Sequence, residues 1–104
     1  MEWLEPWWST QNMDENFHSN FVRQLELEVS PRHEIFGVRG QLIGRGQGDD
    51  ALFELLDGSS RVAVVHLTWA SRKQQPPWPI TTIYANMGEW VERCMLPEHE
   101  GWEG

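Results

Sequence analysis

The stretch from Arg61 to Pro79 constrains the fold most, because it opens with the apolar β-branched run Arg-Val-Ala-Val-Val-His-Leu-Thr-Trp. Alternate residues of a strand face opposite sides. Ala63, Val65, Leu67 and Trp69 therefore share one wholly apolar face, and Val62, Val64, His66 and Thr68 share the other, which turns polar only at its C-terminal end. A strand of this kind is covered on both faces, with the covering layer open at one edge. His66, Thr68 and Trp69 emerge at that open end and are the first candidate binding residues. The commoner account of such a pair is structural: His66 and Thr68 bond to each other or to nearby backbone.

Around this strand the periodicity changes several times. Residues 1–12 carry Trp3, Trp7 and Trp8 around Pro6 without any period and read as an extended aromatic arm. Met13, Phe17, Phe21 and Leu25 then recur every four residues, with Val22 and Val29 beside them, which predicts an amphipathic helix. Asn12 with Glu15 resembles a capping box, and Ser30-Pro31 closes the helix. From Val38 to Arg45 the period is two, as in a half-buried strand. Gly44, Gly46 and Gly48 follow without a lysine or a predicted helix, so they read as a flexible turn and not as a phosphate loop. Ala51–Leu56 is a short strand joined to the next by the hairpin turn Asp57-Gly58-Ser59-Ser60. After Trp69, the segment through Pro76-Pro77-Trp78-Pro79 must be a loop. Ile80–Ala85 is a further strand. Asn86 with Glu89 starts a second helix whose apolar face is Met87, Trp90, Val91, Cys94 and Met95, and Pro97 is expected to stop it. This order predicts an α+β fold. An antiparallel sheet of about four strands should carry the N-terminal and C-terminal helices on one face. One domain should span residues 1–104, ending in a loose acidic tail at 98–104.

The balance of 16 acidic against 8 basic residues gives a net charge of −8. Binding to a phosphate backbone is driven by Lys and Arg, so nucleic acid is disfavoured as a partner. An acidic surface fits plain solubility, the commoner explanation, or a basic protein partner drawn in by complementary charge. Cys94 is the only cysteine, which rules out an intrachain disulfide. No window approaches the roughly 20 apolar residues of a membrane span, and the N-terminus has neither the basic nor the long apolar region of a signal peptide. A cytoplasmic setting without membrane contact is expected.

The segments Asp49-Asp50-Ala51-Leu52-Phe53-Glu54, Val64-Val65-His66-Leu67-Thr68-Trp69 and Trp90-Val91-Glu92-Arg93-Cys94-Met95-Leu96-Pro97-Glu98-His99-Glu100 resemble a family of small bacterial proteins of unknown function. The resemblance covers most of the chain from residue 21 onward. It implies a bacterial, cytoplasmic origin and carries no chemistry.

No reaction is written in the residues. His33, Asp49, Asp50, His66, Glu98 and His99 are metal-ligand types, but no H-x-x-H, H-E-x-x-H or C-x-x-C spacing brings any two together, and no metal or cofactor is implied. Cys94, on an apolar helical face, lacks the exposed setting of a nucleophile. Seven tryptophans remain, each able to bury roughly 150–250 Å². Not all fit inside a chain this short, so Trp3, Trp7, Trp8 and the loop residue Trp78 are expected to offer apolar area to a protein partner or a second copy. The alternative is that the arm folds back and completes the core. The expected function is a non-enzymatic interaction module, of the kind an inhibitor or immunity protein represents. A small-ligand or metal-dependent site at the end of the His66 strand is the second expectation.

Overall fold

A computed structural model describes residues 1–103. Helix α1 (Glu15–Glu28) starts where the Asp14 carboxylate accepts the Phe17 N–H at 2.8 Å. The cap is Asp14 and not Asn12, because a turn in which the Met13 N–H donates to the Thr10 carbonyl occupies the preceding residues. Phe21 and Leu25 from the predicted stripe are buried, as is Val29 just past the helix, and Phe17 and Val22 pack beside them.

Five strands follow one another in space as they do in sequence, all antiparallel: β1 (Trp8–Ser9), β2 (Gly40–Arg45), β3 (Asp50–Leu55), β4 (Val62–His66) and β5 (Ile80–Tyr84). The α+β class and the antiparallel sheet agree with the sequence reading, and the additional strand comes from the aromatic arm. β1 pairs Trp8 with Arg45 and Ser9 with Gly44, beside a bulge in β2 between Leu42 and Gly44. Gly48, at a φ of 61°, makes the expected turn between β2 and β3, whereas Gly44 and Gly46 serve as seats for the arm. A Cβ on Gly44 would come within 2.6 Å of the Trp3 ring, and one on Gly46 within 2.8 Å of the Trp7 ring. Only the absence of side chains admits both indoles.

The placement of the helices differs from the expectation that they share one face. α1 covers Leu42, Ala51, Phe53, Leu55, Ala63, Val65 and Leu67. The C-terminal helix covers the other face, where Trp90, Cys94 and Met95 pack with Trp7, Leu52 and Val62. The alternation in β4 requires this, since both of its faces are apolar and each needs its own layer.

The C-terminal helix also runs past Pro97. α2 (Met87–Trp90) begins at Asn86, whose side chain accepts the Glu89 N–H at 2.9 Å, as the capping signal indicates. It continues through a π-helical turn (Val91–Met95) into α3 (Leu96–Glu100). In that turn the Leu96 N–H donates to the Val91 carbonyl, five residues back. The widened turn relieves the clash that a proline ring makes with the preceding turn, and Pro97 then sits in the first turn of α3. The start of the segment expected as a loose tail, Glu98 and His99, is accordingly tied down. His99 bonds to the Glu5 carbonyl at 2.8 Å, and Glu98 accepts the Trp7 indole N–H at 3.1 Å.

Candidate functional site

The end of β4 does not gather its three candidate residues; it separates them. The strand stops at His66, and Trp69 turns to a positive φ of 58°. This sends Thr68 and Trp69 toward α1 while His66 faces the C-terminal helix. Thr68 is structural. Its N–H and hydroxyl donate to Glu28 Oε1 at 2.8 and 2.7 Å, and the Trp69 N–H and the Gln24 amide donate to Glu28 Oε2 at 2.8 and 2.6 Å. Glu28 is fully buried at the end of α1, so these four donors replace the water its carboxylate gave up. The Trp69 ring meets Phe21 edge-on at 5.1 Å and is half exposed above it.

His66 opens onto a cleft of about 360 Å³ lined by Asp50, Val64, Trp78, Ile80, Thr82, Tyr84, Cys94 and Glu98. The register that opposes Asp50 to His66 in β3 and β4 brings Asp50 Oδ1 within 3.0 Å of His66 Nδ1. Since a carboxylate only accepts, Nδ1 donates and Nε2 is directed elsewhere. Deeper in the cleft, the Cys94 thiol donates to Glu98 Oε2 at 3.0 Å. Burial, then the hydrogen bond to Glu98 and its charge, pushes this thiol up to about 12. Burial likewise raises the Tyr84 phenol to about 12, aided by Cys94, Glu98 and Glu89. Both groups stay protonated near neutral pH, and a thiol so held is a poor nucleophile. Among the described residues, no group of three His, Cys, Asp or Glu side chains could hold a metal ion.

The aromatic candidates divide in the same way. Trp7 is fully buried, meets Trp90 edge-on at 5.1 Å and cannot reach a partner, so its expected binding role is corrected. Trp3 leans on Trp90 at 5.5 Å and shows one side to solvent. Trp8 is exposed, 6.2 Å from Phe17, and Trp78 is exposed at the rim of the His66 cleft.

A larger concavity lies elsewhere and was not foreseen from the residues. It is a groove of about 890 Å³ along β2, running from Arg39 to Ile43. Trp3, Leu56 and Met87 wall it on the side of the C-terminal helix; Met13, His18 and Val22 wall it on the side of α1. Met1, Met13 and Leu56 are large apolar residues left exposed there. His18 Nε2 lies 2.7 Å from the Thr10 carbonyl and holds the arm against α1, so the arm that fills the core also forms one end of the groove. Met13 read as part of the helix stripe and Leu56 as the end of a strand, so neither signalled it. No family model, curated protein or solved structure matches the chain. No helix among the described residues is long and apolar enough to cross a membrane.

Proposed function

We propose that the protein is a non-enzymatic interaction module that receives a protein partner in the groove along β2. The observation that carries this reading is the groove itself. It is larger than the His66 cleft, its walls come from both layers, and its exposed residues include Met1, Met13 and Leu56. Apolar area of this kind, rimmed by polar residues such as Gln11, Glu15 and Arg39, is what partner surfaces present. Methionines suit such a surface, because their unbranched chains adapt to the ligand. The net charge of −8 favours a basic partner. A cytoplasmic setting is compatible with the single cysteine held as a thiol.

A small-ligand reading of the His66 cleft is favoured by one observation, the exposed Trp78 ring beside the His66–Asp50 pair. The protonated Cys94 and Tyr84 and the structural use of Thr68 leave that cleft short of reactive groups.

The experiment is in-cell photo-cross-linking. A benzophenone side chain replaces Leu56 in the groove, Trp78 at the cleft, or Glu92 on the exposed side of the C-terminal helix. Protein adducts are expected from position 56 alone. Adducts only from position 78, or none from 56, would overturn the proposal.

A further inference from the structure

The His66 cleft lies where the covering of one sheet face runs out. On that face β4 contributes Val64 and His66, and β5 contributes Ile80, Thr82 and Tyr84, in the register that opposes Val64 to Thr82 and His66 to Ile80. The C-terminal helix packs over Val64 and Tyr84, whereas Ile80, Thr82 and His66 are exposed. The exposed Trp78 ring stands at the rim.

Two carboxylates enter this cleft from different elements, Asp50 from β3 and Glu98 from α3, and no Lys or Arg lines it. Glu98 accepts hydrogen bonds from the Cys94 thiol and the Trp7 indole, both neutral donors that leave its charge in place. Asp50 accepts from His66 Nδ1, which leaves the neutral imidazole with Nε2 as an acceptor. Arg45, whose charge bears on Asp50, directs its donors to the Asp50 and Gly48 carbonyls and lies over the Phe21 ring on the α1 side. Burial raises the Tyr84 phenol and the Cys94 thiol, and the negative charge of Glu98 adds to the effect in both. The cleft is thus a region of negative potential, furnished with acceptors and lined by no cation.

Elimination fixes what such a region takes. Anions are repelled by Asp50 and Glu98. Among the described residues, no three His, Cys, Asp or Glu side chains come together to hold a metal ion. An organic cation fits, because its N–H donors match the acceptors and its carbon atoms find apolar area on Val64, Ile80 and the Trp78 ring. The volume of about 360 Å³ suits a small molecule. Two carboxylates on separate elements favour a short chain charged at both ends.

We propose that the His66 cleft binds a short aliphatic diamine in its ammonium form, with Asp50 and Glu98 taking its charged ends and its chain lying on Ile80 beside Trp78. This site is separate from the groove along β2 and asks for no reaction from Cys94 or Tyr84.

The test titrates the full chain at low ionic strength with 1,4-diaminobutane, following the His66 ring and Trp78 indole resonances by NMR. Saturable binding with a Kd of about 1 mM or below is expected. Binding of n-butylamine should be about fivefold weaker, through loss of one exposed ion pair, and 1,4-butanediol should have no effect. Thr82→Lys, at an exposed position, tethers a competing ammonium in the cleft and should weaken binding at least about tenfold at an unchanged melting temperature. Thr82→Glu should strengthen it. Trp78→Ala should weaken it about two- to fivefold. No saturable binding, or unchanged binding by the Thr82→Lys variant, would overturn the site, as would resonance shifts in the groove along β2 in place of the cleft. Equal binding of the diol or of n-butylamine would overturn the assignment of the two charged ends. Tighter binding of a blocked Gly-Lys-Gly tripeptide than of the diamine would give the cleft to a protein side chain and overturn the small-molecule proposal.

Discussion

At the scale of single residues, the least replaceable polar group is Glu28. Every hydrogen bond its carboxylate makes is one it accepts, so Glu28→Gln must turn an amide NH2 toward the backbone N–H of either Thr68 or Trp69. The expected loss is about 3 kcal/mol in urea unfolding at unchanged m-value, and a loss under about 0.5 kcal/mol would show that water reaches the carboxylate. Nothing in the sequence distinguishes Glu28 from the other acidic residues of α1, because three of its four donors lie about 40 positions away. Cys94 and Tyr84 give a pH dependence with a definite sign. Their ordinary values of 9.0 and 10.0 are each raised to about 12 in the fold. Between those limits the folded chain holds protons that the unfolded chain has released, so this stabilisation is full below pH 9 and fades as the pH rises toward 12. Denaturation midpoints should fall from pH 8 to pH 10, and Cys94→Ala should flatten the early part of the decline. A midpoint independent of pH in the parent chain would contradict the burial of both groups.

At the scale of elements, the aromatic arm is the largest departure from expectation. Read alone, residues 1–12 have no period, and an indole serves equally well inside or at an interface. The pairing of only two residues in β1 is too short to leave a pattern, yet it carries Trp7 into the layer beneath Trp90. Trp7→Ala should therefore cost about 3–5 kcal/mol, as deleting a buried aromatic does. Removing residues 1–9 should cost at least as much. A truncated chain with the parent's melting temperature would return the arm to the surface. The C-terminal helix shows the same limit in another form. Its start at Asn86 is written locally in the cap, whereas its passage through Pro97 depends on a π-helical turn that no residue type announces.

At the scale of the whole molecule, charge and core make separate statements. With 16 acidic against 8 basic residues, labelled duplex and single-stranded DNA should show no binding even at low salt; micromolar affinity with a steep salt slope would contradict this. Val65 is fully buried in β4, so Val65→Asp should leave no folded protein, and a soluble variant with native thermal stability would refute its position. The meander from β2 to β5, the hairpin at Asp57–Ser60 and the two helix regions were legible in the sequence, because period, caps and turn residues act over a few neighbouring positions. Two apolar faces on β4 also imply two covering layers, and the helices divide between them instead of sharing one face. The site was less legible. His66 does line a cleft, but its Asp50 partner follows from strand register, and Thr68 was diverted to a carboxylate on another element. The groove beside β2 has no sequence motif, since it is the space left where a two-residue strand ends and two layers fail to meet. Local chemistry alone therefore determined the elements of this protein; the tertiary structure decided which indoles were buried and which clefts stayed open, because both depend on contacts between residues distant in the chain.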